Sequence, residues 1–367
     1  MHDPTKLFAG IASRARQVFG ISAHQVHVDT TSFAVSGAYN SSGERVQGPG
    51  MSAEALEDET ALIAITYGYS RDQREDLKQW MIALAPTHDG DVPLFLQPLD
   101  GNSSDTISLL AAVMAIQKPL REANAEPGLY VADSGVYSES NMRPLNEAGV
   151  TWVSRVPETS QEAKAVVQEG SDQVQTTEDG SMQCYSRVMT LPQGTERWLI
   201  VRTQASQQRA QASVQRQVTT AQASWQQKCW HLSNRRFACE ADARAALERE
   251  LKGKPTWLEV EVDVVDHPRH ASKGRPRKEA SPTTQQWQIV ATVTVNQQQA
   301  AEEALRKACF IVGTHELESE ALSDQELVTI YKDQSGVERG FRFPKAPLFL
   351  ASSVFVKKPE RIIAPLV

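Results

Sequence analysis

Three carboxylates in this chain stand in contexts where they could hold a hard metal ion. Asp29 lies inside "HVDTTSF", a run that otherwise alternates apolar and polar residues. Aspartate is depleted in strands, so it is there either as a turn former or as a ligand. Asp133 closes "GLYVADSG", a short strand-like run that stops at Asp133-Ser134-Gly135. The C-terminal ends of strands are where α/β sheets place their sites. Glu338 shares a helix face with Tyr331 and Gln334, because offsets of 0, 3 and 7 fall within about 60° of one another at ~100° per residue, and Lys345 lies beyond them. Carboxylates from two strands and one helix are what a two-metal phosphoryl-transfer site requires. Mg2+ takes a few carboxylates, waters and phosphate oxygens. Two such ions about 3.5–4 Å apart activate the attacking oxygen and stabilise the leaving one. Thr30, Ser134 and Gly135 are small enough to let a phosphate approach. Taken singly, an Asp or Glu in a chain this long is more often solvated or turn-forming.

The elements that must position these residues are legible in outline. "PTKLFAGIASRARQVF" has helical apolar spacing and stops at Gly20. "AHQVHVDTTSFAVSG" reads as a strand, with Val26 and Val28 on one face and His27, Asp29, Thr31 and Phe33 on the other. "ALIAITYGYS" and "VPLFLQPLD" read as two more strands, and "DQREDLKQWMIAL" between them as a helix or a turn into one. "DTISLLAAVMAIQKPLREA" is an amphipathic helix opened by Asp105 as N-cap. "GLYVADSG", a helix at "SESNMRPLNEAG" and a strand at "VTWVSRVP" complete a β-β-β-α-β-α-β order. That order predicts an α/β layered sheet, partly antiparallel and partly parallel. From about 160 to 305 the character changes. Strand pairs "QCYSRVMTL"/"RWLIVRTQ" and "TWLEVEVDVV"/"QWQIVATVTV" alternate with helical Gln-, Ala- and Arg-rich stretches, as a large insertion would. "ACFIVGT" resumes a buried strand, and "SDQE" is a capping box opening a helix that carries Tyr331 and is expected to run through "LVTIYKDQSGVERG" towards Gly340.

Composition bounds the class. With 367 residues, 40% apolar and 23% charged, the chain suits one large or two ordinary globular domains. No apolar run reaches the ~18–20 residues of a membrane span, and no signal peptide is evident. A cytoplasmic, nucleoid-associated location without membrane contact is the expectation. Four cysteines without a C-x-x-C pair argue against a zinc site or a disulfide framework. The net charge of −7 speaks weakly against nucleic acid, but distribution matters more than the sum. Lys273, Arg275 and Arg277 crowd the loop "SKGRPRK", which suits a narrow minor groove, the DNA backbone or a solvated linker. Arg71, Arg74 and Lys78 cluster in "YSRDQREDLKQ", as a DNA-backbone contact or as surface charge. His24 and His27 bracket Asp29, but two histidines without further ligands are more often structural. Neither a G-x-S-x-G elbow nor a phosphate-binding G-x-x-x-x-G-K-[ST] loop is present.

Taken together, "HVDTTSF", "ITYGYSRDQREDLKQ", "YVADSG" and "YKDQSGVERGFRFPKAP…SSVFVKKPERI" resemble the bacterial insertion-sequence DDE transposases, in order and over nearly the whole chain. The branch resembled carries a Y-x2-R-x3-E-x6-K signature around its third acid, onto which Tyr331, Glu338 and Lys345 fall; Gln334 replaces its arginine. The resemblance implies a ribonuclease-H-like mixed sheet flanked by helices. A catalytic core would run over 1–158 and 306–367, with a β-rich and helical insertion subdomain over 159–305. It implies Asp29, Asp133 and Glu338 as metal-binding acids for two Mg2+ ions, with Mn2+ as a substitute. Tyr331, Gln334 and Lys345 would contact DNA phosphates near the cleaved end, and an insertion tryptophan can stack on a flipped base. The implied partners are element terminal repeats, target DNA and a second copy in a synaptic homodimer. Few residues precede the first acid, and the C-terminus stops at "ERIIAPLV", so the expectation is a copy truncated at both ends. The alternative is a catalytically incompetent remnant that only binds DNA or a full-length transposase.

Overall fold

The computed structural model describes residues 4–35, 63–69, 74–103, several helical positions between 110 and 117, and residues 128–269 and 284–333. The chain divides into two compact units, one of residues 1–177, 183–201 and 310–367, the other of 178–182 and 202–309. In chain order the elements open with α1 (Pro4–Phe19), β1 (Gln25–Val35), β2 (Lys78–Pro86), β3 (Pro93–Leu99) and β4 (Leu129–Ala132). Next come α2 (Glu139–Glu147), β5 (Trp152–Val156), α3 (Gln161–Gly170), β6 (Gln175–Thr176), β7 (Met182–Leu191) and β8 (Gly194–Thr203). The second unit supplies α4 (Gln204–Ser233), α5 (Glu240–Leu251), β9 (Leu258–Arg269), β10 (Thr284–Val295) and α6 (Gln297–Lys307). The chain then returns through β11 (Cys309–Thr314) and α7 (Asp324–Lys332).

Nine strands form one mixed sheet in the order β3-β2-β1-β4-β5-β11-β8-β7-β6. β1, β2 and β3 pair antiparallel, β4 runs parallel to both β1 and β5, and β11 is antiparallel to β5. Helices cover it because both faces are apolar. On one face Val26, Val28, Met81, Ala83, Tyr130, Ala132 and Trp152 pack with Met142 and Leu145 of α2. Leu110 and Val113, from the helix expected after Asp105, join them. On the other face Phe33, Val35, Trp80, Ile82, Leu84 and Leu96 meet Phe8 of α1, and the Phe33 and Trp80 rings stack 4.8 Å apart. α1 ends where expected: Gly20 takes a left-handed φ of 66°, and the Ile21 amide closes on the Arg16 carbonyl.

Three local expectations need correction. The run expected as a helix or a turn into one is the strand β2 from Lys78 onward. β2 lies between β1 and β3 with nearly every residue buried, so its sequence shows a continuous apolar run. Periodicity cannot tell such a run from a helix. "ALIAITYGYS", expected as a strand, makes a single bridge from Thr66 to Gln79 within its described residues. The helix opening at Ser323, expected to run towards Gly340, ends at Lys332 with Asp333 as its C-cap. Both faces of β1 are largely buried, Thr30, Thr31, Ser32 and His27 included, because helices lie on both sides of the sheet. β7 and β8, read from sequence with the insertion, extend this sheet beyond β11.

The second unit has its own core. α4 is 30 residues long, about 45 Å, and opens with a reciprocal Thr203–Ser206 capping box. Its buried Val214, Val218, Trp225 and Cys229 meet Trp257, Leu258 and Val293. β9 and β10 pair in continuous register from Leu258↔Val295 to Arg269↔Thr284. The basic loop joining them, with Lys273, Arg275 and Arg277, lies outside the described residues. Among the described residues no helix is long and apolar enough to cross a membrane.

Candidate active site

Register places the first two acids. The β1–β4 pairing ends at Val28↔Ala132, so Asp29 and Asp133 are the next residue along each of two parallel neighbours. Adjacent strands lie about 4.8 Å apart, and matched positions on parallel strands face the same way. The β4–β5 pairing ends at Ala132↔Ser154, so Arg155 continues the same row. Asp29, Asp133 and Arg155 therefore stand side by side at one level of three parallel strands, just past the C-terminal end of β4 and partway along β1.

The backbone holds both carboxylates in place. Asp29 Oδ1 accepts from the Thr30 amide at 2.7 Å, and Asp133 Oδ1 accepts from the Ser134 amide at 2.6 Å. Ser154 Oγ donates to the Asp133 carbonyl at 3.1 Å, tying the end of β4 to β5. Four residues on, Tyr137 donates to Glu196 Oε2 at 2.5 Å, and Trp198 Nε1 donates to the same oxygen at 2.9 Å. Glu196 is fully buried, which raises its pKa despite those donors. This network fastens the turn behind Asp133 to β8. Asp29 is half-buried and Asp133 exposed.

α7 brings the third element. The Arg197 guanidinium of β8 holds its start, donating to the Leu322 carbonyl and lying 3.5 Å from Asp324. Ser323 and Glu326 form the expected capping box. Further along, Tyr331 is half-buried, and its pKa is raised first by burial and then by the negative field of Asp133; Arg155 pulls the other way. Tyr331 thus stands with Asp133 and Arg155. Asp333, capping the helix, reaches His27 with its field. His27 is nevertheless held down to about 4, by burial and then by His88, whose ring centre is 5.9 Å away.

Residues 28–364 match the family model described as a transposase DDE domain. The chain belongs to that family. No curated protein matches it closely enough to be named beside it. As a DDE domain it is of a transposase kind, with DNA as the substrate that membership implies, and such enzymes use divalent metal ions. Asp29 and Asp133 fit such an ion in kind, as two carboxylate oxygen donors side by side. Among the described residues no three His, Cys, Asp or Glu side chains come together as a metal cluster. Glu338, Gln334, Lys345 and Arg71 lie outside the described residues of the DDE domain.

The other expected contacts are dispersed. Lys78 pairs with Val35 at the far end of β1, six residues or about 20 Å from Asp29, and lies 6.0 Å from the Tyr67 ring centre. Arg74 is held by both oxygens of Asp76 at 2.8 Å each. Of the insertion tryptophans, Trp225 and Trp257 are core and Trp287 is half-buried; Trp230 is 62% exposed. Arg155 and Asp333 were missed from the sequence. A cation within the apolar strand "VTWVSRVP" was the available signal for Arg155.

Proposed function

We propose that this DDE domain has a ribonuclease-H-like core and belongs to the branch with the tyrosine–arginine–glutamate–lysine signature. Its reaction would be metal-dependent phosphodiester hydrolysis at the ends of an insertion sequence, followed by attack of the freed 3′-hydroxyl on target DNA. The observation that carries this reading is the matched placement of Asp29 and Asp133 one residue past the last β1–β4 pair, Asp133 at the C-terminal end of β4 and Asp29 beside it on β1. The mixed sheet with helices on both faces supports the fold, and the insertion between Asp133 and Glu338 supports the branch.

Asp29, Asp133 and Glu338 would hold Mg2+ or Mn2+. Bound there, the ions supply activation of the attacking oxygen and charge stabilisation of the leaving one. The chain's own residues do the positioning. The Thr30 and Ser134 amides hold one oxygen of each carboxylate. Tyr331 presents a hydroxyl that burial keeps protonated, fit to donate to a phosphate oxygen. Gln334 and Lys345 would follow it along the same strand of DNA, with a basic loop at Lys273, Arg275 and Arg277 on the duplex backbone. Trp230 is the insertion tryptophan whose ring is available for stacking on a base. A synaptic homodimer would bring two element ends together.

The test is cleavage of element-end DNA in Mg2+ or Mn2+ by the wild type, Asp29→Asn, Asp133→Asn and Glu338→Gln. Loss of nicking by 10^3-fold or more, with melting temperature and DNA binding retained, is the expected outcome, given the scale of electrostatic contributions to catalysis (roughly 10^2–10^3 for one lost hydrogen-bond donor). Unchanged nicking in any of the three would overturn the assignment. Binding without nicking in the wild type would point to a DNA-binding remnant.

A further inference from the structure

We propose that Arg155 is a phosphate-binding residue of the active site, supplying from β5 the guanidinium that the helix signature lacks at Gln334. The inference rests on the reading of Asp29 and Asp133 as the catalytic acids. Arg155 follows Ser154, which is the partner of Ala132, so it continues the row of the two acids on the next parallel strand. It lies close enough to Tyr331 to offset the effect of Asp133 on that hydroxyl.

A basic residue beside two acids has an ordinary explanation, neutralising them, and the pairing argues against it here. Arg155 bonds Glu158 at 2.6 Å and makes no ion pair with Asp133. Its guanidinium also lies 5.4 Å from the ring centre of Phe310 on the neighbouring strand. Those two contacts fix the plane of the fork while using only part of its five donors. The Glu158 pair is about half exposed on both sides, and such pairs hold weakly enough to yield to a phosphate. A planar fork, pre-oriented and bearing on a row of metal-binding acids, suits a phosphodiester whose remaining oxygens need a cation.

The experiment measures affinity for element-end and unrelated duplexes over a salt series without catalytic metal, and then nicking in Mg2+. Arg155→Gln, Arg155→Lys and Asp133→Asn are compared with the wild type, with melting temperatures recorded. The proposal expects Arg155→Gln to weaken both duplexes alike and to flatten the slope of log K against log salt by about 0.9, one phosphate contact, at unchanged melting temperature. An unchanged slope overturns it. If Arg155→Gln does not fold, Arg155→Lys decides: it keeps the charge but loses the fork, so slope should persist while nicking slows about tenfold or more, and undiminished nicking overturns the proposal. Asp133→Asn separates the two readings. If it nicks normally the acid assignment has failed, whatever Arg155 does; if it is dead while Arg155→Gln keeps its slope, only the Arg155 proposal has failed.

Discussion

His27 and Asp29 are two residues apart on one face of β1, yet the sheet treats them differently. Asp29 stands one residue past the last matched level with β4 and is half-buried, whereas His27 is 2% exposed and its Nδ1 has no hydrogen-bond partner. Gln25 Nε2 lies 3.2 Å from its other ring nitrogen, which fits a neutral ring accepting a hydrogen bond. With its pKa lowered from 6.5 to about 4, His27 binds a proton more readily in the unfolded chain than in the folded one. Stability therefore rises with pH through that window: the contribution is complete above pH 6.5 and is lost as pH falls towards 4. A shift of this size corresponds to roughly 3 kcal/mol. His27→Gln removes the titration while keeping a polar partner for Gln25. Denaturant unfolding from pH 7 to pH 4 should show a fall in stability about 3 kcal/mol smaller in the variant than in the wild type. Equal falls in both would mean that His27 is solvated in the folded protein.

At the scale of elements, everything that α7 contributes depends on how its start is held. Arg197 is 2% exposed, and its guanidinium serves the Leu322 carbonyl and the Asp324 carboxylate at the helix N-terminus. Burial raises the pKa of Asp324 and Arg197 lowers it, so removing the arginine would leave a half-buried carboxylate without its counter-ion. Arg197→Met should cost about 3 kcal/mol by thermal or denaturant unfolding. It should also lower DNA cleavage further than the stability loss explains, because Tyr331 is carried on that helix. Ser323→Ala removes the capping box and should cost only about 1 kcal/mol, a contrast that distinguishes anchoring of the helix from its intrinsic stability. The sequence showed the start of this helix plainly, since a capping box and apolar spacing are local signals, but not its end, because the expected run towards Gly340 stops at Lys332 with Asp333 as C-cap. It showed α1 and β1 by local signals too. β2 was misread because a strand buried on both faces carries no alternation. Arg155 went unnoticed because its importance comes from register: residues 29, 133 and 155 become neighbours only when β1, β4 and β5 pair in parallel. Asp29 and Asp133 could be picked out by context, but their common level across β1 and β4 could not.

At the scale of the whole molecule, a net charge of −7 has to be reconciled with a polyanionic substrate. The β9–β10 ribbon shows where part of the negative charge is kept. Val260, Val262 and Val264 pack towards the core of the second unit, so the alternating Glu259, Glu261 and Asp263 point outwards and are exposed. Across the ribbon Glu259, Glu261 and Asp263 face Thr294, Thr292 and Val290, none of which offers a positive charge. That acidic row repels phosphate and leaves DNA affinity to basic positions elsewhere, which favours binding only where several such positions are engaged together. Replacing the three acids (Glu259→Gln, Glu261→Gln, Asp263→Asn) should leave the fold intact, since surface changes of this kind usually alter stability by no more than ~0.5 kcal/mol. Affinity for unrelated duplex DNA should rise about 3- to 10-fold at low salt, and the gain should shrink towards nothing as salt shortens the screening length. Affinity for element ends should rise by a similar factor, because long-range repulsion between charges does not depend on DNA sequence. Gel-shift titrations of both duplexes at low and high salt measure this directly. No gain at low salt, or a gain that persists at high salt, would show that the acidic row does not act by long-range repulsion of DNA.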